Sequence, residues 1–211
     1  MGKHLRETEE VVAEYRSIQA SLRLWRRDFE RLIEYVEPMD THDAVYSHRI
    51  FELLLRAATE FESVAKVYAH HAKIQQPNRP TLPDRPTIHD YRTVLQSLEL
   101  QRVWVGLLHW RPKTRYVSPF PSWGSGQDSP DWYRAYNEAK HSRRDAFAKA
   151  TLLNAITAFA GVFATLIIGF GSYTWPSIKP RRVSGDLPGA AAVELHFEDF
   201  PFTLCAPEGF F

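Results

Sequence analysis

One stretch of the chain carries residues whose types and spacing could do chemistry: Trp132-Tyr133-Arg134-Ala135-Tyr136-Asn137-Glu138-Ala139-Lys140-His141-Ser142-Arg143-Arg144. On a helix, Asn137 and His141 stand one turn apart and face the same way. Arg134 lies three residues before Asn137, and Lys140 three residues after it. An amide, an imidazole and cations at this spacing suit RNA cleavage by transesterification. A histidine titrates near neutrality, so it can take the ribose 2′-OH proton or protonate the leaving 5′ oxygen. A cation stabilises the charge that builds on phosphorus, and the amide orients the imidazole or the phosphate. This chemistry needs no metal and no cofactor.

Other residues offer less. His70 and His71 are adjacent and point different ways on a helix, and His42 and His48 lack the four-residue spacing of a helical metal pair. Cys205 is the single cysteine, so an intramolecular disulfide and a cysteine-rich zinc site are excluded. No metal ligand is therefore expected among these residues.

The chain has 26 basic and 25 acidic side chains among 211 residues, a balance that rules out a polybasic coat or an acidic disordered chain. The balance conceals a local excess. Residues 76–150 carry 12 basic and 7 acidic groups, an excess of five, interleaved with Trp104, Trp110, Tyr116, Phe120, Trp123, Trp132, Tyr133 and Tyr136. Arginines among aromatics can hold phosphates and stack bases, or can simply surround a packed connection.

The elements that must position these residues read as helices. Residues from about 5 to 37 form an amphipathic helix with Leu22, Trp25, Phe29, Leu32, Ile33 and Val36 inward. Arg23, Arg26, Arg27 and Arg31 fall among its solvent-facing positions, and Pro38 stops it. A second helix, capped by Thr41 or Asp43, runs to about Gln75, and within it Arg56 and Glu60 are spaced to pair on one face. Pro77, Pro80, Pro83 and Pro86 mark an extended linker. A third helix is expected from Thr87 to about Leu108, then a long loop over 111–130. Ser129 and Pro130 start a helix that can run to about Phe170. Two short strands, 192–197 and 200–204, are expected around Glu198-Asp199.

From Ala150 to Ile178 no residue is charged, and the 19 residues from Leu152 to Phe170 would span about 28 Å as a helix. That is nearly a bilayer core. The same pattern fits a helix buried at the centre of a bundle, and many alanines favour that reading. Burial is preferred, with a membrane span through 152–170 as the lesser alternative. The N-terminus lacks the apolar core of a signal peptide, so a cytoplasmic protein is expected.

Tyr136-Asn137-x-x-Lys140-His141-x-Arg143 at the start of a final apolar helix resembles the HEPN superfamily (higher eukaryotes and prokaryotes nucleotide-binding). The upstream helix from Arg49 to Glu62 is similar to the family's second helix, and the resemblance covers about residues 42–170. It implies an all-α bundle of four to five helices, with a long Pro/aromatic loop and a short β-like tail. The division is an N-terminal helix over 1–40, the bundle over 41–175 and a tail over 176–211. It also implies a metal-independent endoribonuclease of prokaryotic defence or a toxin system, working as a homodimer, with an antitoxin or defence-complex protein as partner. His141, Asn137 and Arg134 would be catalytic. Lys140, Arg143, Arg144 and Tyr136 would bind phosphate or RNA, and Glu60, Glu62 and Arg56 would support them. The family's motif places an arginine immediately before the polar residue; here Tyr136 stands there. Other members are non-catalytic, so a dimeric scaffold or sensor that binds RNA, a nucleotide or a protein stays open, as does a membrane-anchored effector.

Overall fold

The computed structural model describes residues 8–126, 129–171, 178–182, 193–197 and 202–207. Helix α1 spans Glu9–Ile33, and Thr8 caps it by accepting from the Val11 amide at 3.2 Å. Every third or fourth residue of α1, from Val11 through Tyr15, Ile18, Leu22, Trp25 and Phe29 to Leu32, is buried, as the periodicity predicts. Helix α2 spans His48–Gln75. Its cap is Ser47, whose hydroxyl accepts from the Ile50 amide, rather than Thr41 or Asp43. Asp43 is drawn off by a distant partner: its carboxylate holds Arg115 at 2.7 and 2.9 Å.

The third helix is much shorter than expected. Helix α3 covers only Ile88–Leu95, opened by a capping box between Thr87 and Asp90. Two 3-10 turns follow, separated by Glu99 in the left-handed region (φ 50°), which ends helical propagation. Strand β1, Trp104–Leu107, replaces the expected last helical turns. The expected loop over 111–130 contains strand β2, Arg115–Val117, and a short helix α4, Pro121–Gly124.

Helix α5 is Asp131–His141, with Pro130 at the cap position; the Ser129 side chain makes no capping bond. The helix does not continue into the apolar run. It stops at Ser142, and a short turn α6, Arg143–Ala146, and a 3-10 turn, Phe147–Lys149, lead to α7, Leu152–Phe170. The break is held from outside. Leu152 and Leu153 donate their first-turn amides to the carbonyls of Val45 and Asp43, and the Thr151 side chain caps α7. An uninterrupted helix would have left no free amides for that crossing segment.

Helix α7 lies at the centre, packed against α2, α1, α5 and β1. Trp25 stacks on Phe159 with ring centroids 3.7 Å apart. Only Leu153, Asn154 and Thr157 of α7 are half-exposed, and the remainder is buried. The helix is long and apolar enough to cross a membrane, with mean hydropathy 2.0, but protein already covers the surface that lipid would contact. Each fully buried Phe or Leu there stabilises the fold by roughly 1.5–3 kcal/mol.

The chain is mostly helical but not all-α. Strands β3 (Ile178–Arg182), β4 (Val193–Phe197) and β5 (Phe202–Ala206) join β1 and β2 in one antiparallel sheet of order β2-β1-β5-β4-β3. The expected tail hairpin is present as β4 and β5, but β5 also pairs with β1, Trp104 opposite Cys205 through Leu107 opposite Phe202. Phe202 is 1% exposed and packs on Phe29, Phe159 and Phe163, which fastens the sheet to the helices. Cys205 is buried in β5. Phe200, Phe210 and Phe211 lie outside the described residues.

Candidate functional site

Helix α5 has two faces. Its inner face buries Trp132, Tyr133, Ala135, Tyr136 and Ala139 against α2 and α7. Its outer face carries exposed Arg134 and His141 with half-exposed Asn137 between them, so the sequence-predicted trio does share one side. Among the described residues, neither Asn137 nor His141 has a hydrogen-bond partner. Arg134 is turned back onto Asp131, one turn earlier. That exposed pair is weak.

Lys140 is exposed but directed. Its ammonium donates to the Tyr136 hydroxyl at 3.0 Å and lies 5.0 Å from the centre of that ring. The bond to Tyr136 raises its pKa, so it stays a cation. Tyr136, placed by sequence among the RNA-binding residues, is 3% exposed. Its ring belongs to the core, and its role at the surface is to hold Lys140. Arg144 is exposed in α6 and has no ion pair among the described residues. Arg143 opens α6, and its side chain lies outside the described residues.

The supporting residues do not gather at this site. Arg56 and Glu60 do not pair with each other. Arg56 reaches across to Asp28 of α1 at 2.5 Å, and Glu60 accepts from Ser21 of α1 at 2.5 Å. Both therefore tie α2 to α1. Glu62 turns the other way, to α5, and accepts from the Tyr133 hydroxyl at 2.9 Å. The intra-helix pairing of residues four apart loses to partners on the neighbouring helix that tertiary packing brings closer. The sequence reading missed Tyr133 and Tyr91. Burial, then the nearby Glu62 carboxylate, pushes both phenols well above the ordinary tyrosine value. The usable signal was Tyr133 preceding Tyr136 by three residues, the spacing of one inward helix face.

The end of the bundle where α5 stops is also where α2 and α7 begin. Tyr46 bridges to Thr151. Phe147 packs on Tyr46, His48 and Phe51, with ring centroids 5.7, 4.8 and 5.6 Å away. Lys149 pairs with Glu138 of α5. His141, Lys140, Arg144 and exposed His48 and Arg49 thus lie on elements that meet at one end. The arrangement supplies one imidazole free to move a proton and cations to meet phosphate.

His70 and His71 sit elsewhere, edge to face with centroids 5.2 Å apart, beside Glu10 and Glu14 of α1. Among the described residues no group of three or more His, Cys, Asp or Glu side chains is arranged to hold a metal ion. His141 lines none of three clefts among the described residues: one of about 550 Å³ lined by Asp28, Arg31, Tyr35, Arg49, Glu52 and Arg56, one of about 550 Å³ lined by Glu10, Glu14, His70 and His71, and one of about 490 Å³ lined by Trp110, Lys113 and Arg115. No protein-family model, curated protein or solved structure matches the chain.

Proposed function

We propose that this chain is a HEPN-like helical protein that binds RNA at the C-terminal turn of α5 and cleaves it without a metal. One observation carries the reading. Asn137 and His141 stand one turn apart on the outer face of a helix whose other face is buried, the side chain of neither has a hydrogen-bond partner among the described residues, and Lys140 is held by Tyr136 on the same turn. In the reaction, His141 takes the proton of a ribose 2′-OH, and the 2′ oxygen attacks the adjacent phosphorus. The bond to the 5′ oxygen breaks, that oxygen acquires a proton, and a 2′,3′-cyclic phosphate remains. Lys140, with Arg134 or Arg144, balances the charge on the pentacoordinate phosphorus. The proton for the leaving oxygen comes from His141 of a second copy, so the active form is a homodimer. Such a protein acts in the cytoplasm, in a defence or toxin system with a protein partner that restrains it.

A second reading has its own support. Tyr136 fills the place where the family carries an arginine, and it is committed to the core. That favours a non-catalytic scaffold or sensor that uses the same surface to bind RNA. Incubating the purified chain with single-stranded RNA and a chelator separates the two. His141-dependent cleavage, lost by at least 100-fold in His141→Ala, supports the nuclease. Equal cleavage by His141→Ala would sink it, and RNA binding without cleavage by the native chain would favour the scaffold.

A further inference from the structure

Helix α1 carries a charged feature that the α5 site does not use. Between residues 16 and 31, the exposed charged residues are all arginines, Arg16, Arg23, Arg27 and Arg31, while Arg26, Asp28 and Glu30 are half-exposed. At 100° per residue these four fall within an arc of about 80°, and they extend about 22 Å along the axis. Arg26, which the sequence grouped with them, is half-buried and bonded to Glu30 at 2.7 Å, while Arg16 joins the stripe. The acids of this span are occupied elsewhere, Asp28 with Arg56 and Glu30 with Arg26. Among the described residues none of the four stripe arginines has an ion pair.

Four like charges on one helix face repel each other. Their forked donors match phosphate oxygens two at a time. We infer that the α1 arginine stripe is a binding track for the phosphate backbone of a nucleic acid strand. One strand presents a charge about every 3.4 Å of axis, so 22 Å faces roughly six phosphates, enough for four contacts. A lipid surface fits less well. A helix lying on a membrane buries an apolar face in it, whereas the apolar face of α1 is already in the protein core, leaving Leu24 as the exposed apolar residue of the stripe. An acidic protein fits less well too, because such interfaces are anchored by several aromatic or large apolar side chains, and beside the four arginines α1 exposes only Leu24 of that kind.

The track rests on the reading above only in taking RNA as the partner; it does not depend on His141. The test uses a 20-nucleotide RNA methylated at every 2′ oxygen. It lacks the attacking hydroxyl, so binding is read apart from cleavage. Affinity is measured by fluorescence anisotropy between 50 and 200 mM salt for the native chain, a variant with all four arginines changed to Gln, and one with all four changed to Lys. Removing four phosphate contacts should make the slope of log affinity against log salt shallower by about 2.8, so the native affinity should fall about 50-fold more than the Gln variant's over that range. The Lys variant should keep most of the slope. Equal slopes for native and Gln proteins would overturn the track, even if unmodified RNA is cleaved in a His141-dependent way. So would loss of binding to phosphatidylserine vesicles in the Gln variant with RNA binding unchanged. A slope change in the Gln variant, together with cleavage indifferent to His141→Ala, would keep the track and remove the nuclease.

Discussion

The bond between Tyr133 and Glu62 decides how α5 sits on α2, and it can be tested by a thermodynamic cycle. Tyr133 is 4% exposed, and its hydroxyl donates to the Glu62 carboxylate at 2.9 Å. Tyr133→Phe keeps the ring packed on Phe61, Trp132 and Tyr136 and removes the oxygen alone. A hydrogen bond to a charged group contributes about 1.5–3 kcal/mol. Glu62 is half-exposed and can turn to water, so the loss should be nearer 1 kcal/mol. For a chain of this length that is roughly 2–4 °C in Tm. Glu62→Gln should cost less, since the amide oxygen still accepts. The double variant should then fall short of additivity by about 0.5–1 kcal/mol in urea unfolding. Additivity within about 0.3 kcal/mol would refute the contact and with it the docking of α5 described above. The same tyrosine sets an alkaline limit. Its pKa is raised on folding by burial and by Glu62. The unfolded chain therefore loses this proton near pH 10 while the folded chain keeps it. The stabilisation is complete below pH 10 and is lost as pH rises above it, at about 1.4 kcal/mol per unit for each such phenol. Tyr133→Phe should make that alkaline decline less steep.

Two further outcomes follow from packing and burial. His71 is 6% exposed, and burial, then its neighbour His70, lower its pKa, partly offset by Glu14 and Glu10. A histidine held neutral in the fold stabilises fully above its unfolded value near 6.5, and this is lost as pH falls through the lower folded value. His71→Gln should flatten the fall in urea midpoint between pH 7 and 5, and identical slopes in both proteins would contradict it. At Gly106, in β1 opposite Thr203 of β5, an added Cβ would collide with the Thr203 hydroxyl and approach a Tyr116 ring carbon to 2.9 Å. Gly106→Ala should lower stability by about 1–3 kcal/mol, and adding Thr203→Ala should recover part of it in the same urea assay. A neutral Gly106→Ala would mean that the tail does not pair with β1.

Much of the architecture was legible because it is local. The inward stripe of α1, the stop after α2, the Thr87 helix start and the apolar character of α7 follow from residues three or four apart and from Pro and Gly positions. The side-sharing of Arg134, Asn137 and His141 belongs to the same class, because it depends only on helical spacing.

What tertiary structure alone decided involves partners distant in sequence. Residues 104–107, expected within the third helix, form a strand because they pair with residues 202–205. The break between α5 and α7 depends on carbonyls of Asp43 and Val45 that accept the first amides of α7. Glu60 and Glu62 look equivalent in the sequence, yet they face opposite neighbours, Ser21 and Tyr133, because two residues on a helix are rotated by about 200°. Sequence by itself determined which residue types stand on each helical face. Packing determined which of those faces remain in water, and so left His141 and the four arginines of α1 exposed, without an ion pair among the described residues, while committing Tyr136, Glu60 and Arg56 to holding the fold.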